Sequence, residues 1–153
     1  MTKTQTLTVV VIFVLTTASI AAIGEPPTGF RNLKWGARPQ AGLKKQMGPT
    51  DDGLTMYVPL SKKPEPLFGV PVREEDYSFV HGKFYQGDAY LDGDSNRQQM
   101  KTALTQTFGS PSFTNEQLKI WKWKWPKRSI EISFYYEAKS AGATVTFSDS
   151  AIN

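Results

Sequence analysis

Lys119-Ile-Trp-Lys-Trp-Lys-Trp-Pro-Lys-Arg-Ser-Ile-Glu-Ile-Ser-Phe-Tyr-Tyr136 is the stretch on which the fold turns. Its first ten residues hold five basic side chains and three tryptophans. In a strand, successive side chains point to opposite faces, so Trp121, Trp123 and Trp125 share one face and Ile120, Lys122 and Lys124 the other. A four-residue turn over 126–129 then sets Trp125 opposite Ile130, Trp123 opposite Ile132 and Trp121 opposite Phe134. Every partner of a tryptophan is large and apolar, which marks a core face. The competing reading is an exposed stacking platform for glycans or single-stranded nucleic acid. The same register places Lys124 opposite Glu131.

Working outward, 118–125, 130–136 and 143–147 alternate as strands, and the turns at 126–129 and 139–142 join them into an antiparallel meander. Upstream lies a helix over about 96–108. Met100, Leu104 and Phe108 recur at four-residue spacing, Asp94 or Ser95 supplies a cap, and Gly109-Ser-Pro111 ends it. Before it, Tyr77–Val80 and Phe84–Leu91 flank His81-Gly82-Lys83 as a hairpin. Leu67–Val72 reads as a short strand that Pro71 confines to an edge. Leu54–Leu60 alternates, with Leu54, Met56, Val58 and Leu60 on one side. A weak short helix fits about 39–47, between Pro39 and the Gly48-Pro49 stop, with Leu43 and Met47 on one face. The expected class is α+β: an antiparallel sheet, one main helix and one short one. A faint internal echo, helix then Gly-x-Pro or Gly-Pro then aromatic strand, suggests two pseudo-repeats.

At the amino end, Lys3 is the only charge before Glu25, and residues 7–24 are uncharged throughout. A basic start, an apolar run and small residues at Ser19, Ala21, Ala22 and Gly24 describe a secretory leader, cleaved after Ala21 or Gly24. Eighteen residues at about 1.5 Å each also give a helix of roughly 27 Å, close to the hydrocarbon core, so a retained anchor is the second reading. Both put the rest of the chain outside the cytoplasm, in the periplasm or beyond, free or tethered to the inner membrane. The expected organisation is therefore leader or anchor at 1–24, a Pro-containing spacer at 25–29, and one domain at 30–150, long enough for a single core.

The chain has no cysteine, which removes disulfides, thiolate nucleophiles and zinc–thiolate sites; nine Phe, six Tyr and four Trp are left to hold the domain by packing. Of 18 Lys and Arg, Lys3 alone precedes Glu25, leaving 17 basic against 14 acidic residues. That mild surplus is too small to argue for nucleic acid as a partner. The single histidine, His81, falls in a turn with no triad partner marked. Asp88, Asp92 and Asp94 surround Gly93 but lack the spacing and terminal Glu of a calcium loop, since Ala103 stands at the twelfth position from Asp92. Glu74-Glu75-Asp76 reads as a solvated surface turn rather than an acid–base pair. No catalytic residue, metal or cofactor is expected.

The helix, its Gly-x-Pro stop and the aromatic strand, Leu104 to Trp123, resemble the repeat unit of BamE-like and β-lactamase-inhibitor-like periplasmic domains. Phe30-Arg-Asn-Leu-Lys-Trp-Gly36 and the 77–91 hairpin are similar to a set of small uncharacterised exported bacterial proteins. The resemblance implies a noncatalytic module that binds another protein, free or as an accessory subunit tethered to a membrane complex. Lys122, Lys124, Lys127, Arg128 and Tyr135 are the expected binding patch, with only Glu131 nearby to neutralise the cations. The alternative is a binding protein for an anionic glycan or lipid headgroup using the same strand.

Overall fold

The computed structural model describes residues 23–61, 63–137 and 140–152. The leader or anchor expected over 1–24 therefore falls, except for its last two residues, outside the described residues.

The elements run β1 (Gly29–Phe30), β2 (Leu33–Lys34), β3 (Leu43–Met47), β4 (Leu54–Pro59), β5 (Glu74–Val80), β6 (Lys83–Asp92), α1 (Asp94–Phe108), β7 (Phe113–Asn115), β8 (Ile120–Trp125), β9 (Ile130–Tyr136) and β10 (Gly142–Asp149). β3 to β10 form one antiparallel sheet in the order β3-β4-β5-β6-β10-β9-β8-β7. It is two four-stranded meanders sewn together where β10 pairs with β6. α1 carries the chain from the middle of the sheet to its far edge and packs against β6 and β10 on the way.

The closing meander forms in the expected register. Trp125 faces Ile130, Trp123 faces Ile132, Trp121 faces Phe134 and Lys124 faces Glu131, with Pro126–Arg128 as a single 3-10 turn between the strands. Trp121 and Trp123 are buried with Ile132, Phe134, Val145 and Phe147. Alternation puts these on the sheet face that α1 covers through Met100, Leu104 and Phe108. The β1–β2 hairpin extends that covering layer. The ring of Phe30 lies where Gly87 has no side chain; a Cβ on Gly87 would stand 2.3 Å from Phe30 Cδ1. His81 and Gly82, both with positive φ, make the tight β5–β6 turn that matches strand twist.

Several expectations are corrected. Residues 43–47 of the expected short helix are the edge strand β3, paired with β4. Gly42 sits at φ 95° and Gly48 at φ 93°, which bars a right-handed helix from either end. A helix this short also gains little against its nucleation cost, while β4 offers a free backbone edge. A bulge between Lys45 and Met47 moves Met47 to the face opposite the core. With no first helix, the helix-then-strands echo does not form, and helix precedes strands only in the second meander.

In β4, Met56 and Val58 share one side as expected, and that side is the outer face of the sheet. Tyr57 packs edge-on against Phe79 with ring centroids 5.0 Å apart, Met56 pairs with Ser78 on the other side, and Leu60 is 63% exposed. Leu67–Val72 is a tight turn rather than a strand; Leu67 and Val70 bridge each other, with Phe68 and Gly69 at positive φ between them. α1 begins at Asp94, and its N-cap is Gly93, with no side-chain cap from Asp94 or Ser95. Instead the Asp94 carboxylate accepts a 2.8 Å hydrogen bond from Arg97. Arg97 is itself buried and donates to the carbonyl oxygens of Ser140 and Gly142, tying α1 to the β9–β10 turn.

Candidate interaction surface

The same alternation that buries the tryptophans builds the opposite, outer face of the sheet. Across its middle the pairings line up Lys122, Ser133, Thr146, Asp88 and Asp76 in one row. A neighbouring row runs Ile120, Tyr135, Thr144, Tyr90 and Glu74. A third runs Lys124, Glu131, Ser148, Gln86 and Ser78. No helix is described over this face.

Its β7–β9 end holds Lys122, Lys124 and Tyr135 of the expected patch. Glu131 lies between the two lysines, at 2.9 Å from Lys122 Nζ and 3.2 Å from Lys124 Nζ. Partial burial pushes the Glu131 carboxyl up, but the hydrogen bonds and charges of both lysines more than offset this and hold it below the usual carboxylate range. One carboxylate therefore serves two cations. Lys127 and Arg128, exposed in the 3-10 turn, have no ion pair among the described residues, so two of the four cations are unpaired there. Phe113, opposite Lys122, is 47% exposed, and Tyr135 is 38% exposed. Phe113 escaped the sequence reading because β7 is only three residues long and follows a helix stop.

The middle of the face is acidic and phenolic. Asp76 of β5 stands directly opposite Asp88 of β6. The Tyr90 hydroxyl donates to Asp76 (2.9 Å), while Gln86 Nε2 (2.8 Å) and Thr146 Oγ1 (2.6 Å) donate to Asp88. Asp88 is only 7% exposed. Burial raises its pKa, the bonds from Gln86 and Thr146 pull it down, and the charge of Asp76 adds to the rise; the net shift is upward. Tyr90 is shifted up as well, by burial first and then by its bond to Asp76.

Glu74-Glu75-Asp76 is thus not a surface turn. It opens β5, and alternation sends Glu75 to the inner side. There Arg31 and the Tyr77 hydroxyl hold its carboxylate, fastening β1–β2 to the sheet. Asp88, Asp92 and Asp94 are likewise dispersed: Asp92 pairs with Arg73 at 2.6 Å and Asp94 with Arg97. Among the described residues no group of three or more His, Asp or Glu is placed to hold a metal ion. His81 is exposed in its turn. At the β3–β5 end of the sheet, an open groove of about 690 Å³ is lined by Met47, Met56, Val58, Pro64, Arg73 and Asp76.

Compared with protein families, characterised proteins and solved structures, the chain matches none.

Proposed function

We propose that the chain is a noncatalytic, extracytoplasmic interaction module, free or tethered as an accessory subunit of a membrane complex. Of the expected patch, Lys122, Lys124 and Tyr135 on the outer face dock an acidic surface of a partner protein, with Phe113 as an added apolar anchor. The observation that carries this reading is the asymmetry of β7–β9. The strands bury their tryptophans inward and leave cations flanked by half-exposed aromatic rings on an uncovered face. Aromatic anchors beside positive charge suit recognition of an acidic protein patch. The resemblance to protein-binding periplasmic domains supports the same reading, now on residues 104–123 alone. An anionic glycan or headgroup is the second reading; with Trp121 and Trp123 in the core, its contacts would fall to the cations and Tyr135.

The test is affinity purification from native membranes with mass spectrometry, comparing the wild type with a Lys124→Glu/Tyr135→Ala double variant. The expected outcome is loss of the partner with the melting temperature nearly unchanged, because exposed charges contribute little to stability. A variant that still recovers the partner at physiological salt contradicts the reading.

A further inference from the structure

Where the chain enters the domain is fixed by hydrogen bonds. The Gly24 amide donates to the Phe108 carbonyl at 2.8 Å, in the last turn of α1, and the Trp125 indole donates to the Gly24 carbonyl at 2.6 Å. Two more bonds hold the following residues: Trp35 Nε1 to the Pro27 carbonyl (2.9 Å) and the Trp35 amide to the Thr28 carbonyl (3.2 Å). The fit at Gly24 is close. A Cβ there would lie 3.1 Å from the Thr107 carbonyl oxygen and 3.4 Å from Phe108 Cα. The stretch expected to act as a spacer is therefore held at Pro27 and Thr28, and Gly24 before it is fixed at one defined corner of the domain.

That corner is the end of the sheet where β8 turns into β9. Lys127 and Arg128 follow Trp125 by two and three residues there, exposed and without an ion pair among the described residues. The acids nearby in the chain and sheet are Glu25, beside the clamp, and Asp149, at the end of β10, whose carboxylate accepts the Ala151 amide. Asp51 and Asp52 lie in the β3–β4 turn, on the far side of the sheet. β4 is five strand positions from β8, or about 24 Å at ~4.8 Å per strand.

We propose that the Gly24 clamp turns the Trp125–Ser129 corner toward a membrane, and that Lys127 and Arg128 bind anionic lipid headgroups there. The inference rests on the tethered form of the preceding reading. If residues 7–24 remain as an anchor, Gly24 emerges at the interface. The two cations are then held within the ~10 Å over which an anionic surface attracts basic side chains. The outer face beside them stands clear of the bilayer, available to a partner embedded in or bound to the same membrane.

The absence of cysteine allows a direct test on the full chain. Ala151→Cys labels the corner, next to the Ser150–Ser129 backbone bond, and Gln117→Cys labels the β7–β8 turn at the opposite end of β8. Each carries a fluorophore in vesicles of phosphatidylcholine and phosphatidylglycerol containing a headgroup-linked quencher. The expected result is strong quenching at 151 and little at 117. Quenching at 151 should fall several-fold in phosphatidylcholine alone, and equally with Lys127→Glu/Arg128→Glu. Lys124→Glu/Tyr135→Ala should leave it unchanged, which separates this inference from the partner-docking one. Equal quenching at the two positions, or no effect of the Lys127→Glu/Arg128→Glu pair, overturns the proposal. So does a native protein whose intact mass begins at Ala22 or later.

Discussion

The two faces of the eight-stranded sheet are made by alternate residues of the same strands, yet they are built on different physics. On the inner face, Trp121, Trp123, Phe134 and Val145, with Leu104 and Met100 of α1 packed over them, are essentially without solvent contact. On the outer face, the residues one position along are lysines, tyrosines, threonines and carboxylates that satisfy one another by hydrogen bonds and ion pairs. Apolar burial supplies the main favourable term in folding, whereas exposed ion pairs add little. The inner face therefore holds the domain together, and the outer face is free to change without unfolding it. A domain without disulfides depends entirely on that division.

The largest effect is expected at the inner face. Leu104→Ala or Trp123→Ala should each cost about 2–5 kcal/mol, through lost burial and the cavity left behind, read from the shift in denaturant midpoint at unchanged slope. A cost below ~1 kcal/mol would mean that the inner face is not the stabilising layer.

A smaller effect of opposite sign is expected at Asp88, where the outer face carries its own strain. Its folded-state pKa is raised, so the folded protein holds this proton more readily than the unfolded chain does. The stabilisation from protonation is fully present below the unfolded pKa and is lost as pH rises through the folded one. Asp88→Asn, with the Gln86 amide turned to offer its oxygen, should therefore stabilise the domain at neutral pH. The gap to the wild type should close as pH falls into the range where carboxylates titrate. A variant less stable than the wild type at pH 7 would show that the charge, not burial, governs this position.

The contrast between faces also explains what was legible beforehand. In 119–136 both strands and their turn are contiguous, so alternation and turn length were enough to place every tryptophan. α1 was legible from Met100, Leu104 and Phe108. Residues 43–47 were not, because a bulged strand and a helix can bear the same Leu43/Met47 spacing, and Gly42 and Gly48 decide between them through their φ. In β4, Leu54-Thr-Met-Tyr-Val-Pro alternates either way, and only the packing of Tyr57 on Phe79 from the next strand selects the face. Arg97 was invisible because its partners, the carbonyls of Ser140 and Gly142, lie 43 and 45 residues away. The site showed the same divide. Lys122, Lys124 and Tyr135 were placed on one face by local alternation. The pairing of Asp76 with Asp88, and the strapping of Gly24 to Phe108 and Trp125, depend on contacts that no local pattern carries.

The smallest structural effect, and the most direct test, concerns the outer face in its working setting. Hydroxyl-radical footprinting of the protein in native membranes, compared with the purified protein, reads side-chain exposure residue by residue. New protection is expected at Phe113 and Tyr135, with no change at Trp121 and Trp123, which are already shielded, and no change at Leu60 on the far side of the sheet. Unaltered labelling of Phe113 and Tyr135, or protection centred instead on the Met47–Met56 groove, would contradict this expectation.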